Sequence, residues 1–156
     1  MSASARAWCL GGALCALVVV ADQAAKAVIE ANLVAGEDVD LLGPVGLTLT
    51  HNSGAAFGLA GGAGAPLVLL AVAALGAVGY LFARDPARPG MWVAVGLLAG
   101  GAIGNLVDRV FAGHVTDYMD VSPWPAFNLA DVAITAGVLL LVLLYLRDGE
   151  QGPERD

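Results

Sequence analysis

The chain is short of charge, of aromatic rings and of cysteine. Only 13% of its 156 residues are Asp, Glu, Lys or Arg, and only 6% are Phe, Trp or Tyr. Seven Lys and Arg against fourteen Asp and Glu leave a formal net charge of −7. Such a chain offers the phosphate backbone no basic surface, so nucleic acid is not expected as a partner. The two cysteines, Cys9 and Cys15, stand in the first apolar segment with no His nearby and no metal-ligand spacing; they read as packing residues. HExxH, GxSxG and any Cys/His set are absent, which argues against a zinc protease or a serine hydrolase of the familiar kinds.

What the chain has in excess is hydrocarbon. Apolar residues make up 58% of it, above the roughly 45–50% of soluble domains. One integral-membrane domain over 1–156 is the simplest organisation, with spans at about 7–31, 66–82, 91–107 and 126–146. The first is too long for a signal-peptide core and carries Asp22 and Lys26 beyond it, so it reads as a retained helix. Those two residues are four apart and share a helix face, with the acid first. They are either a mutually neutralised pair, with Lys26 reaching for the headgroups, or groups that shape a site. Gly96, Gly100 and Gly104 recur at four-residue spacing on the third span, a stripe that lets another helix pack closely.

Between the first two spans, residues 32–64 change character. Val39–Leu42 and Leu47–Thr50 are short β-prone runs separated by Gly43, Pro44 and Gly46, which predicts a small hairpin-like sheet. The run His51-Asn52-Ser53-Gly54 follows; Gly54 permits close backbone approach, Asn52 is either a turn residue or a ligand, and His51 reads as a loop histidine. Arg6, Arg84, Arg88, Arg147 and Arg155 all fall on one side of a four-span arrangement, while loop 32–64 carries no Lys or Arg. Positive charge marks the cytoplasmic side, so both termini and the tail 147–156 are expected there, with loops 32–64 and 108–125 outside.

The polar residues then collect at the outer end. Ionisable groups near bilayer depth are costly and are functional candidates by default. Gly104–Asp131 holds Asn105, Asp108, Arg109, Asp117, Asp120, Asn128 and Asp131 between two apolar spans. Two carboxylates held close cannot both ionise easily, so one serves as acid and the other as base. Asp117 and Asp131 flank the polar stretch and suit an aspartyl hydrolase, with Asp131 about five residues, or roughly 7–8 Å, into the fourth helix. Asn52, Asn105 and Asn128 can donate to and accept from a peptide backbone, and Arg109 supplies fixed positive charge. Plainer roles stand beside these: Asp117 as a turn residue, Asp108 and Arg109 as a structural ion pair, Asp120 as a solvated acid. A proton-relaying transporter would spread its carboxylates across the bilayer, and a non-catalytic scaffold would leave the aspartates unexplained.

Five motifs in register resemble one family. They are Asp22-x-x-x-Lys26, Asn52-Ser-Gly54-Ala-Ala-Phe-Gly58, Gly104-Asn105-x-x-Asp108-Arg109, Val115-Thr-Asp117 and Phe127-Asn128-x-Ala130-Asp131. Together they resemble lipoprotein signal peptidase, or signal peptidase II, over nearly the whole chain. The resemblance implies a bundle of four transmembrane helices with a small extracytoplasmic β-sheet after the first helix. It implies an aspartyl endopeptidase of the bacterial inner membrane that cuts prolipoproteins before their diacylglyceryl-modified cysteine. Asp117 and Asp131 match the family's catalytic pair; Asn52, Asn105, Arg109 and Asn128 match its substrate pocket. Asp22, Lys26, Gly54, Gly104 and Asp108 are expected to support them. No metal or organic cofactor is expected. The bilayer, lipidated substrates and globomycin-type inhibitors are the implied partners, and a monomer is expected.

Overall fold

The computed structural model describes residues 1–53 and 64–150. Gly54, assigned a supporting role from the sequence, lies outside the described residues, as does the end of the tail. Among the described residues, four helices are long and apolar enough to cross a membrane. They are α1 (Ala3–Asn32), α2 (Gly64–Arg84), α3 (Met91–Phe111) and α4 (Leu129–Glu150). Ser2 caps α1, its hydroxyl accepting the Ala5 N–H at 3.1 Å, which satisfies one of the donors a helix start leaves open. Outward-facing Leu17, Val20, Leu69 and Leu143 are each more than half exposed, an apolar exterior that suits a hydrocarbon surrounding.

The third helix is the centre of the bundle. It packs against all three others, most extensively against α1 and α4. Glycine makes this possible: a Cβ at Gly100 would stand 2.7 Å from that of Val18 on α1, closer than real carbon contacts allow. At one end of the bundle Ala7, Val78, Phe82, Met91, Val95 and Leu98 form an apolar core, joined by a tilted Trp8–Phe82 ring contact at 4.5 Å. The other end is polar.

That polar end is roofed by an antiparallel sheet, β1 (Asp38–Leu42), β2 (Val45–Asn52), β3 (Val115–Val121) and β4 (Trp124–Phe127), in the order β1-β2-β3-β4. The first hairpin follows α1, as the sequence suggests; the second comes from the stretch after α3, where the sequence shows only a polar excursion. Pairing explains the difference. Strand β3 aligns with β2 through Thr50↔Asp117, His51↔Thr116 and Asn52↔Val115, so neighbouring backbone overrides the low strand preference of its aspartates. His51 is therefore a strand residue, its ring 4.1 Å from that of His114.

Two boundaries also move. Because Trp124–Phe127 is paired as β4, α4 begins only at Leu129, and Asp131 stands in its first turn rather than five residues in. Helix α3 runs on to Phe111, so Asn105, Asp108 and Arg109 project from a continuous helix.

Candidate active site

Asn128 precedes α4 and closes its first turn. Its Oδ1 accepts the Asp131 N–H at 3.0 Å, and the Asp131 Oδ2 accepts the Asn128 N–H at 3.2 Å. This is a reciprocal capping box with Asp in the place of the usual Glu. The same Asn128 donates through Nδ2 to Asp117 Oδ1 at 2.7 Å. One fully buried amide thus touches both candidate catalytic residues.

The remaining carboxylate oxygens are held from elsewhere. Asn52 Nδ2 donates to Asp117 Oδ2 at 3.1 Å, and Asn105 Nδ2 donates to Asp131 Oδ1 at 2.8 Å. Each aspartate oxygen therefore has an N–H donor, drawn from β2, α3 and the start of α4. Thr50 adds a hydroxyl bond to the Asp117 carbonyl at 3.3 Å. Asp117 lies on β3 and is only 4% exposed. Burial pushes its carboxyl above the ordinary carboxylate range; the Asn52 amide pulls it back, the negative charge of Asp131 raises it again, and Asn128 and Lys26 oppose that.

Beneath the pair lies a second cluster. Lys26, 3% exposed, meets Asp22 Oδ2 and Asp108 Oδ2, each at 2.7 Å, and donates to Asn105 Oδ1 at 3.1 Å. Its three N–H donors are all engaged, so it is buried rather than reaching for the headgroups. Asp22 is more than a neutralised partner: its Oδ1 accepts the Ala130 N–H at 2.9 Å, tying α1 to the first turn of α4. Asp108 pairs with Lys26, not with Arg109. Gly104 makes room for this cluster, since a Cβ there would stand 2.7 Å from Asp22 Oδ2.

The cluster also orients the amides above it. Asn105 Oδ1 accepts from both Lys26 and Asn128, the latter at 3.2 Å, so its NH2 must face Asp131. Among the described residues, every buried side-chain nitrogen and oxygen has a hydrogen-bond partner, the condition under which a buried polar network becomes rigid.

The structure thus brings together Asp117, Asp131, Asn52, Asn105, Asn128, Asp22, Lys26, Asp108 and Gly104. Arg109 stands apart from the carboxylates: its Nη1 donates to the Asn105 carbonyl one turn back, at 3.3 Å. Sequence reasoning missed Gln23, whose Nε2 donates to Asp108 Oδ1 at 2.8 Å and to the Gly104 carbonyl at 3.3 Å. Its polarity inside an apolar span was the available signal. It also missed Thr116, whose hydroxyl donates to Glu30 at 2.6 Å; nothing in the local sequence marks that contact. Among the described residues, no group of three or more His, Cys, Asp or Glu is placed to hold a metal ion.

Several known proteins are similar to this chain over most of its length. The family described as signal peptidase (SPase) II matches residues 14–147. A lipoprotein signal peptidase of Moorella thermoacetica is 42% identical over 147 residues, covering 90% of this chain and 96% of that protein. One from Syntrophomonas wolfei is 42% identical over 136 residues, covering 86% and 91%. A solved bacterial membrane enzyme superposes with a TM-score of 0.84 at 31% identity, covering 94% of this chain and 93% of its own.

Proposed function

The chain belongs to the signal peptidase II family of membrane peptidases, and from that premise we propose that it removes signal peptides from bacterial prolipoproteins with Asp117 and Asp131 as an aspartyl dyad. Cleavage falls on the N-terminal side of the diacylglyceryl-modified cysteine. The observation that carries the dyad is Asn128, which hydrogen-bonds Asp117 through its side chain and Asp131 through its backbone N–H and its Oδ1.

The two carboxyl groups divide the work by environment. Asp117 is the more buried of the two and its carboxyl is raised, which suits it to be the partner that hydrogen-bonds the scissile carbonyl oxygen. Asp131 is less buried and stands in the first turn of α4. It takes a proton from the attacking water as the water oxygen bonds the carbonyl carbon. The tetrahedral intermediate collapses when the Asp117 carboxyl passes its proton to the leaving amine and the C–N bond breaks, which leaves the water's proton on Asp131. Asn52, Asn105 and Asn128 hold the carboxylates in register, and Arg109, on the same helix as Asn105, supplies positive charge to substrate carbonyls or to the outer loop.

Arginine placement supports cytoplasmic termini and a site at the outer leaflet. There a lipidated substrate arriving by lateral diffusion meets both acyl phase and water. A globomycin-type cyclic peptide would sit between the aspartates, and one bundle, acting as a single domain and a monomer, holds every group named.

The test is cleavage of a diacylglyceryl-modified prolipoprotein by purified protein in detergent, scored by the mass lost with the signal peptide. Asp117→Asn and Asp131→Asn should each lower kcat by about 10³-fold or more, with Asp120→Asn near wild type. Wild-type rates in both variants would overturn the assignment.

A further inference from the structure

Asp22, Lys26 and Glu30 stand four residues apart and form a row along one face of α1. The row is about 12 Å long at ~1.5 Å per residue. Each member reaches a different element. Asp22 Oδ1 accepts the Ala130 N–H on α4 at 2.9 Å, and Lys26 binds Asn105 and Asp108 on α3. Glu30 Oε1 accepts the Thr116 hydroxyl on β3 at 2.6 Å. Ala130 immediately precedes Asp131, and Thr116 immediately precedes Asp117. A carboxylate of α1 therefore holds the residue before each member of the proposed pair. We propose that Glu30 is a positioning residue for the reaction, which through Thr116 holds β3, and with it Asp117, in register with Asp131. The inference rests on the dyad proposed above and adds what sets the spacing of its members.

Three observations favour this role over an incidental surface contact. Thr116 is 2% exposed, and its polar groups are tied to different parts of the chain. Its N–H donates to Asp108 Oδ2 at 3.3 Å, and its carbonyl accepts from Asn128 Nδ2 at 3.3 Å. The hydroxyl bond to Glu30 is the shortest of the three, as bonds from a hydroxyl to a carboxylate are. The second observation is one of direction. Side chains alternate along a strand, so Thr116 and Asp117 point to opposite faces of the sheet. Asn52 and Asn128 hold the Asp117 carboxylate on one face, and Glu30 holds the strand from the other. The third concerns packing, which leaves the strand free to shift. A cavity of about 180 Å3 lies between α1, α3 and β3, lined in part by Ala27, Glu30, Val107, Phe111 and Thr116. Helix α1 otherwise barely meets β3. Without the Glu30 bond β3 has room to move, and a misplacement of ~1 Å can cost about 10²-fold in rate.

The experiment resolves kcat and KM for cleavage of a diacylglyceryl-modified prolipoprotein by the full-length protein in detergent. Glu30 is exposed, so its substitution leaves the core intact. Glu30→Ala removes the acceptor and Glu30→Gln keeps one; Thr116→Val removes the hydroxyl and Thr116→Ser keeps it. Glu30→Ala and Thr116→Val should each lower kcat about tenfold to 10²-fold, with KM within about twofold of wild type. The two conservative variants should restore most of that loss. Glu30→Ala/Thr116→Val should be no slower than either single variant, because both remove the same bond. A kcat loss of less than about twofold in Glu30→Ala, or losses that multiply in the double variant, would overturn the inference. So would a loss that Glu30→Gln does not restore, since it would trace to the charge and not to the bond. A second readout needs no turnover. In Glu30→Ala the fragment 115–121 should exchange its amides with deuterium faster than in wild type or Glu30→Gln, with α4 unchanged; equal exchange in all three overturns the inference. Wild-type cleavage by Asp117→Asn would overturn the dyad itself, and the inference with it.

Discussion

Asn128 is one short amide with five duties: it caps α4, pairs with Asp131, holds Asp117, and donates to Asn105 Oδ1 and the Thr116 carbonyl. Replacing it by Ala leaves the Asp131 N–H and Asp117 Oδ1 without partners. Asn128→Ala should therefore cost about 1–3 kcal/mol of stability together with most of the activity. Asn128→Asp keeps the cap but sets a third carboxylate against Asp117; it should fold and not cleave. Melting curves beside the cleavage assay separate the two losses. Asp117 makes a prediction of a different kind. Its carboxyl is raised in the folded protein, so the native state holds that proton to higher pH than the unfolded chain does. Its contribution to stability is complete below the ordinary carboxylate range and is lost as pH rises through the raised value. The Tm difference between Asp117→Asn and wild type should therefore shift toward the variant from pH 4 to pH 8. A difference that stays flat with pH would remove the raised carboxyl. At this scale the sequence was legible through motif spacing, which named both aspartates and the three asparagines. It did not reveal that Asn128 is a helix cap, because apolar Ala126 and Phe127 read as the start of the span.

Among the elements, β3 and α3 show where local sequence is and is not decisive. The helices follow from long apolar runs, and their existence was plain. Strand β3 was not, because Asp117 and Asp120 disfavour strands and Pro123 and Pro125 interrupt the hairpin. Its partner β2 lies more than sixty residues away, and no local pattern announces such a pairing. Helix α3 is legible in its glycines, although their separate targets are not. Gly100 admits α1, whereas Gly104 admits the Asp22 carboxylate. Gly104→Ala should displace Asp22 from Lys26 and the Ala130 N–H, costing about 1–3 kcal/mol, the range for overpacking, and lowering activity with it. Gly12→Ala, where a Cβ meets nothing within 4 Å, should be neutral or slightly stabilising by the ~0.5–1 kcal/mol of helix propensity. Thermal melts in one detergent decide both.

Taken whole, the molecule has an apolar end, where α2 joins, and a charged end, where α1, α3, α4 and the sheet meet. Among the described residues, Lys26 is the cation paired with Asp22 and Asp108 in that charged cluster. Lys26→Met would bury two carboxylates without a counter-charge, which should cost about 3–5 kcal/mol and show as a lowered Tm, with partial recovery in acid. Retention of the wild-type Tm at neutral pH would show that the cluster contributes little. Helix α2 packs chiefly on α3 and takes no part in this network, so its amides should exchange with deuterium before those of α3 as temperature rises.

The capping amide has a consequence for how the protein is made. Asn128 and Asp131 lie after α1, the sheet's first hairpin and α3 in the chain, so a nascent protein emerging from the ribosome completes the pair only after most of its length has been made. The turn that begins α4 also sets Asp131 in place and turns the Asn128 amide toward Asp117. With Asp117 and Asp131 as the proposed dyad, no working peptidase exists until α4 has been threaded into the membrane, and the enzyme is inert through almost all of its own synthesis.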